Sequence, residues 1–172
     1  MNVCTLRLRR AAGALSLGAL ALALVILLRC TGAYVLFAGG TVRRLPVYSV
    51  EREDRKISIT FDCAWGTEHT DAILEVLARE EVRATFFMVE FWAEKYPEYV
   101  QKIDEAGHEI GTHSATHSHM AGMEEARIRE ELRTSSAAIT AVTGKAVTLF
   151  RAPFGEYDDR LVRTAEEEGY AA

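Results

Sequence analysis

Residues 84–117 read ATFFMVEFWAEKYPEYVQKIDEAGHEIGTHSATH, and this stretch decides the fold. Ala84–Val89 is short, aromatic and branched, the composition of a buried strand. Ala93–Ala106 is helical in pattern, with Pro97 in its first turns and Gly107 as the stop. His108–Thr112 is apolar enough for a second strand feeding a loop. Strand, helix and strand at this spacing make a βαβ unit and imply a parallel sheet.

The same rhythm extends both ways. Upstream, Ile57, Ile59 and Phe61 alternate with Ser58 and Thr60, the period of a strand, which ends at Asp62. Thr67–Glu80 follows as a helix with Ala72, Ile73, Val76 and Leu77 on one face. Downstream, Glu124–Val142 reads as a long helix with Ile128, Leu132 and Ile139 on one side. Val147–Phe150 reads as a fourth strand, Asp158–Glu168 as a fourth helix, and Tyr170–Ala172 as the start of a fifth strand.

Three polar signatures lie where strands end: Asp62, His113 and Arg151. In a parallel βα array those ends share one face. His113 and His117 stand four apart, a spacing that on a helical turn puts two imidazoles on one face and suits a divalent metal. A polar loop of solvated histidines is the alternative for that pair alone. Asp62 alone also suits a helix N-cap or turn, and Arg151 alone a surface ion pair. Trp65 either lines a sugar cleft by stacking or simply packs. His69 and His119 read as solvated or structural, and His108 as structural.

Taken in order, TFD at Thr60–Asp62, HSATH at His113–His117 and RAPFG at Arg151–Gly155 resemble the first three motifs of the polysaccharide deacetylases. These are carbohydrate esterase family four, the NodB-homology domain. The fuller wording, FDCAWG, HSATHSHM and LFRAPFGEYD, resembles the membrane-anchored, sporulation-associated branch. The resemblance implies a distorted (β/α) barrel and removal of N-acetyl groups from peptidoglycan or chitin-like glycan. It implies Asp62 as general base, Arg151 as the partner that orients it, and the Phe154 backbone N–H as oxyanion donor. It makes His113 and His117 ligands of Zn2+, or of another divalent metal such as Co2+. Cys63 stands where the family has a second Asp as third ligand, so either the metal is weakly held or Cys63, or Glu68 after it, substitutes. The family's later motifs, with the histidine that acts as general acid, are expected after a fifth strand. The alternative reading is therefore an inactive truncated remnant, at most binding metal or glycan.

The remaining sequence sets the context. Ala11–Leu28 carries no charge, and Arg7, Arg9 and Arg10 precede it. At 1.5 Å per residue it is near the lower limit for crossing a bilayer. It reads as an uncleaved transmembrane anchor with a cytoplasmic start and the globular part outside. A cleaved signal peptide and a buried helix are the alternatives. The organisation expected is an anchor over 1–30, a connector over 31–55 and the α/β domain, a partial barrel, over 56–172. Three scattered cysteines form no disulfide framework. A net charge of −5, in a chain that begins with an arginine cluster and has no basic face beyond it, excludes a nucleic-acid surface.

Overall fold

Thr85–Met88 (β2) is buried at all four positions, as a central parallel strand with both faces covered must be. Thr60–Cys63 (β1) pairs with it on one side and Glu109–Thr112 (β3) on the other, both parallel. The protein is thus an α/β fold on a parallel sheet. The computed structural model describes residues 20, 22–27 and 43–172.

The connecting helices are Thr70–Arg79 (α1), Glu90–Lys95 (α2), Pro97–Glu105 (α3), Glu125–Thr143 (α4) and Asp159–Glu167 (α5). The single helix expected over 93–106 is two. Tyr96 between them leaves helical geometry at φ −129°, ψ 52°, because a proline disfavours the α region in the residue before it and lacks the N–H that would continue the ladder. α4 ends as expected at Gly144, left-handed at φ 68°. Asp158 caps α5, its side chain accepting from the Leu161 N–H.

Two strand expectations change. β1 forms only from Thr60: its partner β2 begins at Thr85, and Ile57 is left 88% exposed. The expected fourth and fifth strands pair only through isolated parallel bridges, Thr112 with Phe150 and Leu149 with Ala171. Pro153, with no N–H to donate, stops the fourth run within three residues of Phe150. Barrel closure is not reached among the described residues.

Helices α2, α3 and α4 cover one face of the sheet, where Phe86, Met88, Trp92, Val100, Ile103 and Ile139 form the main core. A second core gathers Met120, Ile128, Leu132, Phe150, Leu161 and Tyr170 between α4, α5 and the bridged strands.

The chain divides into units 1–42 and 43–172. In the first, the described residues 20 and 22–27 are helical and exposed. The expected span at 11–28 otherwise lies outside the described residues, among which no helix is long and apolar enough to cross a membrane.

Candidate active site

Strand alternation sorts the chemistry. Successive residues of β1 face opposite sides of the sheet. Phe61 and Cys63 pack against the main core, while Thr60 and Asp62 face the other way and meet Arg151. The sheet register puts Asp62 beside Phe87 and Phe87 beside Gly111. A Cβ on Gly111 would sit 2.7 Å from the Phe87 ring, so this glycine lets the ring lie across β3. The Arg151 guanidinium rests on that ring, 4.1 Å from its centroid, a cation–π contact. From there its fork reaches Asp62 Oδ1 at 2.8 Å and Thr60 Oγ1 at 2.9 Å.

Arg151 also fixes the first histidine. Its carbonyl, which can only accept, lies 2.8 Å from His113 Nδ1, so that nitrogen carries the hydrogen. Nε2 is left with its lone pair toward the cleft, 3.9 Å from Asp62 Oδ2. His113 is buried, and desolvation holds its pKa below the ordinary imidazole value, outweighing the Arg151 carbonyl and Asp62 charge that push it up. The neutral ring with an outward Nε2 is the form that ligates metals. The His117 ring stands 5.0 Å from it, centroid to centroid.

The loop between the histidines is conformationally costly. Ser114 (φ 73°) and His117 (φ 55°) both lie in the left-handed region, which non-glycine residues rarely adopt. Local hydrogen bonds hold it: Ser114 N–H to Thr112 Oγ1, and His117 N–H to Ser114 Oγ. The larger support comes from α4. The Glu131 carboxylate, fully buried, accepts the N–H groups of Ala115 and Thr116 on Oε2 at 3.0 and 2.9 Å. Its Oε1 accepts the Thr116 hydroxyl and Arg127.

Glu131 is absent from the sequence reading, although its signal was present: it shares the helix face of Ile128, Leu132 and Ile139, and a carboxylate on an apolar face requires partners. Phe154, in a 3-10 turn at Pro153–Gly155, is left-handed at φ 61° and half exposed. Its ring packs against His117 at 4.9 Å and stacks on His119 at 4.2 Å. A cavity of about 620 Å³ opens beside the site, with Asp62, Phe87, His113, Arg151 and Phe154 in its wall.

The structure brings together Asp62, Arg151, His113, His117 and Phe154. It does not bring Cys63 to them. That side chain shares the parity of Phe61, and burial, then the Asp62 charge, pushes its thiol up to about 12. Glu68 folds back over Gly66 instead. His119 pairs with Glu156 at 2.7 Å, and His108 is buried with its Nδ1 accepting the Ala84 N–H. Among the described residues no three His, Cys, Asp or Glu side chains converge on a metal position. Among the described residues the donor set for a divalent ion is His113 and His117, one short of the three protein ligands of catalytic zinc sites.

A carboxylate held by an arginine thus faces paired imidazoles at the carboxyl ends of parallel strands. Residues 49–172 match the polysaccharide deacetylase family, and the chain belongs to that family. A peptidoglycan-N-acetylglucosamine deacetylase of Bacillus cereus is 31% identical over 115 residues, covering 67% of this chain and 42% of that protein. The peptidoglycan-N-acetylmuramic acid deacetylase PdaA of Bacillus subtilis is 27% identical over 124 residues, 72% of this chain and 47% of that one. Among solved structures, a CE4-family pseudoenzyme from Bacillus anthracis superposes at TM-score 0.71 and 31% identity, covering 74% of this chain and 45% of that one. A mutant of it with restored enzymatic activity superposes equally, at 32% identity. The chain spans less than half the length of the first curated relatives it matches, at 39%, 47% and 42%.

Proposed function

We propose that this chain carries the base-bearing part of an amide hydrolase that removes N-acetyl groups from a cell-wall polysaccharide, peptidoglycan or chitin-like glycan. The observation that carries this is the double role of Arg151, whose side chain holds Asp62 and whose carbonyl turns His113 Nε2 toward it. Asp62 takes a proton from the attacking water. The Phe154 N–H receives the developing oxyanion, a contribution of roughly 3–4 kcal/mol in other hydrolases. The proton gained at Asp62 is the one the departing amine requires, and acetate leaves.

His113 and His117 would hold a divalent metal such as zinc or cobalt, which when bound acidifies water and polarises a carbonyl. The test is acetate release from N-acetylglucosamine oligomers and peptidoglycan, with zinc or cobalt supplied. Asp62→Asn is expected to lower it by about 10²–10⁴-fold. Release unchanged in that variant rejects Asp62 as base.

A second reading, a glycan-binding member without turnover, is favoured by the packing of Cys63 on the core face. The Bacillus anthracis neighbour that regained activity by mutation makes this concrete. Cys63→Asp separates the two. If residue 63 alone blocks turnover, its exchange raises both metal affinity and acetate release. If neither moves, the third ligand comes from elsewhere.

The uncharged run at 11–28 and its flanking arginines support membrane anchoring with the globular part outside the cytoplasm. Protease added to intact protoplasts should then remove the region after Arg44, and full protection rejects this topology.

A further inference from the structure

Residues 43–48 form no helix or strand, yet they are held against the domain. The Val47 N–H donates to the Ala172 carbonyl at 2.7 Å. The Arg44 N–H donates to Asp159 Oδ1 at 3.0 Å, and the Arg44 guanidinium pairs with Glu166. Asp159 and Glu166 stand about two turns apart on α5, so Arg44 lies along one face of that helix. Arg43 rests over the Tyr157 ring at 5.2 Å, and Tyr48 meets the same ring edge-on at 6.3 Å.

This strap is also a wall. Pro46, Val47 and Tyr48 line the 620 Å³ cavity together with Asp62, His113 and Arg151. Burial contributes little to holding it there. None of residues 43–48 is buried, and Val47 and Tyr48 are 67% and 72% exposed. The histidine loop, equally irregular, has the fully buried Glu131 carboxylate beneath it; the strap has no such anchor. A segment that buries so little opens locally at low cost. What remains is charge. Arg44 and Glu166 are each about half exposed, and attraction between exposed charges is weak and screened by salt.

We infer that residues 43–48 are a gate over the cavity, latched to α5 by Arg44 and opened by local release of the strap. Latched, Pro46, Val47 and Tyr48 close the cavity on the α5 side. Released, they leave that side open, and the apolar wall with Val162 meets solvent. The gate acts on entry and exit, as lids do, and not on the proton transfer at Asp62. It goes beyond the deacetylase reading, since it sets when the cavity is accessible and not what is cleaved there.

Glu166→Gln removes the charge partner of Arg44 at a half-exposed position, where the fold does not depend on it. Amide exchange of Val47 is followed in the full chain from about 50 mM to about 500 mM NaCl. Exchange is expected to quicken with salt in the wild-type chain. In Glu166→Gln it should be about threefold faster at low salt and respond little to more. Arg44→Glu combined with Glu166→Arg should restore protection. Entry is read separately, from the relaxation that a soluble nitroxide imposes on the Val162 methyl groups, 3% exposed in the cavity wall. That relaxation should rise in Glu166→Gln together with Val47 exchange. Val47 exchange indifferent to salt and to Glu166→Gln overturns the latch. A loosened strap with Val162 relaxation at its wild-type value overturns the gate. Acetate release from N-acetylglucosamine oligomers is the last arm: Glu166→Gln should lower KM and leave kcat. An unchanged KM with a loosened strap overturns the role in entry. No release from any form rejects the deacetylase reading, and the gate then stands or falls on the Val162 signal.

Discussion

The two flanks of the site are built on different terms. On the β1–β2 side, four consecutive residue pairs are in register, Phe61 stacks on Phe86 at 5.0 Å, and β2 is buried throughout. On the Phe150–Ala171 side, pairing is reduced to single bridges, Leu149 is only half-buried, and the 620 Å³ cavity runs along the edge. Asp62 belongs to the first flank and Arg151 to the second, and the histidine loop ties them together. The lesson is that the geometry of the site is made rigid from one side and carried across to the other by a few hydrogen bonds. The edge itself contributes little, because an incompletely paired strand with an uncovered apolar wall gains little burial.

The largest expected effect tests that asymmetry directly. Phe86→Ala should cost ~3–5 kcal/mol by chemical denaturation, the usual range for a fully buried phenylalanine. Leu149→Ala should cost about 1 kcal/mol, since its side chain is already part-solvated. Equal losses would break the comparison.

A middle-sized effect sharpens it at the tie. Glu131→Ala leaves the N–H groups of Ala115 and Thr116 without their acceptor, at roughly 1–3 kcal/mol for a buried polar group so orphaned. Hydrogen exchange of those two amides should rise well above that of β2. Unchanged protection would mean the loop is held by its own turns.

The smallest effect is one of pH. His108 lies under β2 with its pKa lowered, first by burial and then by the Arg83 charge. The unfolded chain therefore takes up this proton more readily than the folded one. The sign follows by linkage: stability is fully present above the ordinary value of 6.5 and falls as pH drops through it. His108→Asn, which can keep an acceptor for the Ala84 N–H, should flatten the decline below the ordinary value of 6.5. An identical slope in the variant would assign the dependence elsewhere, His113 first.

Much of this was legible in the sequence. The βα alternation, the helix stop at Gly144 and the meeting of Asp62, His113 and Arg151 all follow from periodicity and strand ends. The side of the sheet that Cys63 takes was also legible. It shares the parity of Phe61, its neighbour but one on the strand, and Phe61 packs against the core. The resemblance to a family with a ligand at that position suggested a ligand there, but this chain's own alternation turns the side chain away. The break at Tyr96 and the bridge-only pairing of residues 149–150 were less accessible. Both depend on what lies beside the segment: a proline ring in one case, the number of partner residues in the other. Glu131 escaped because its role is to hold backbone N–H groups sixteen and fifteen residues away, and no motif records such a partner.

Arg151 supports two neighbours by two kinds of atom, and these answer to different changes. Its carbonyl belongs to the main chain, so every residue type placed at 151 would go on fixing the His113 tautomer. Its guanidinium is the part a mutation can remove, and with it the hold on Asp62 and Thr60. Substitution at this one position therefore works as a one-sided control: it adjusts the carboxylate while leaving the imidazole set. A designer who wished to retune Asp62 without disturbing His113 would begin there.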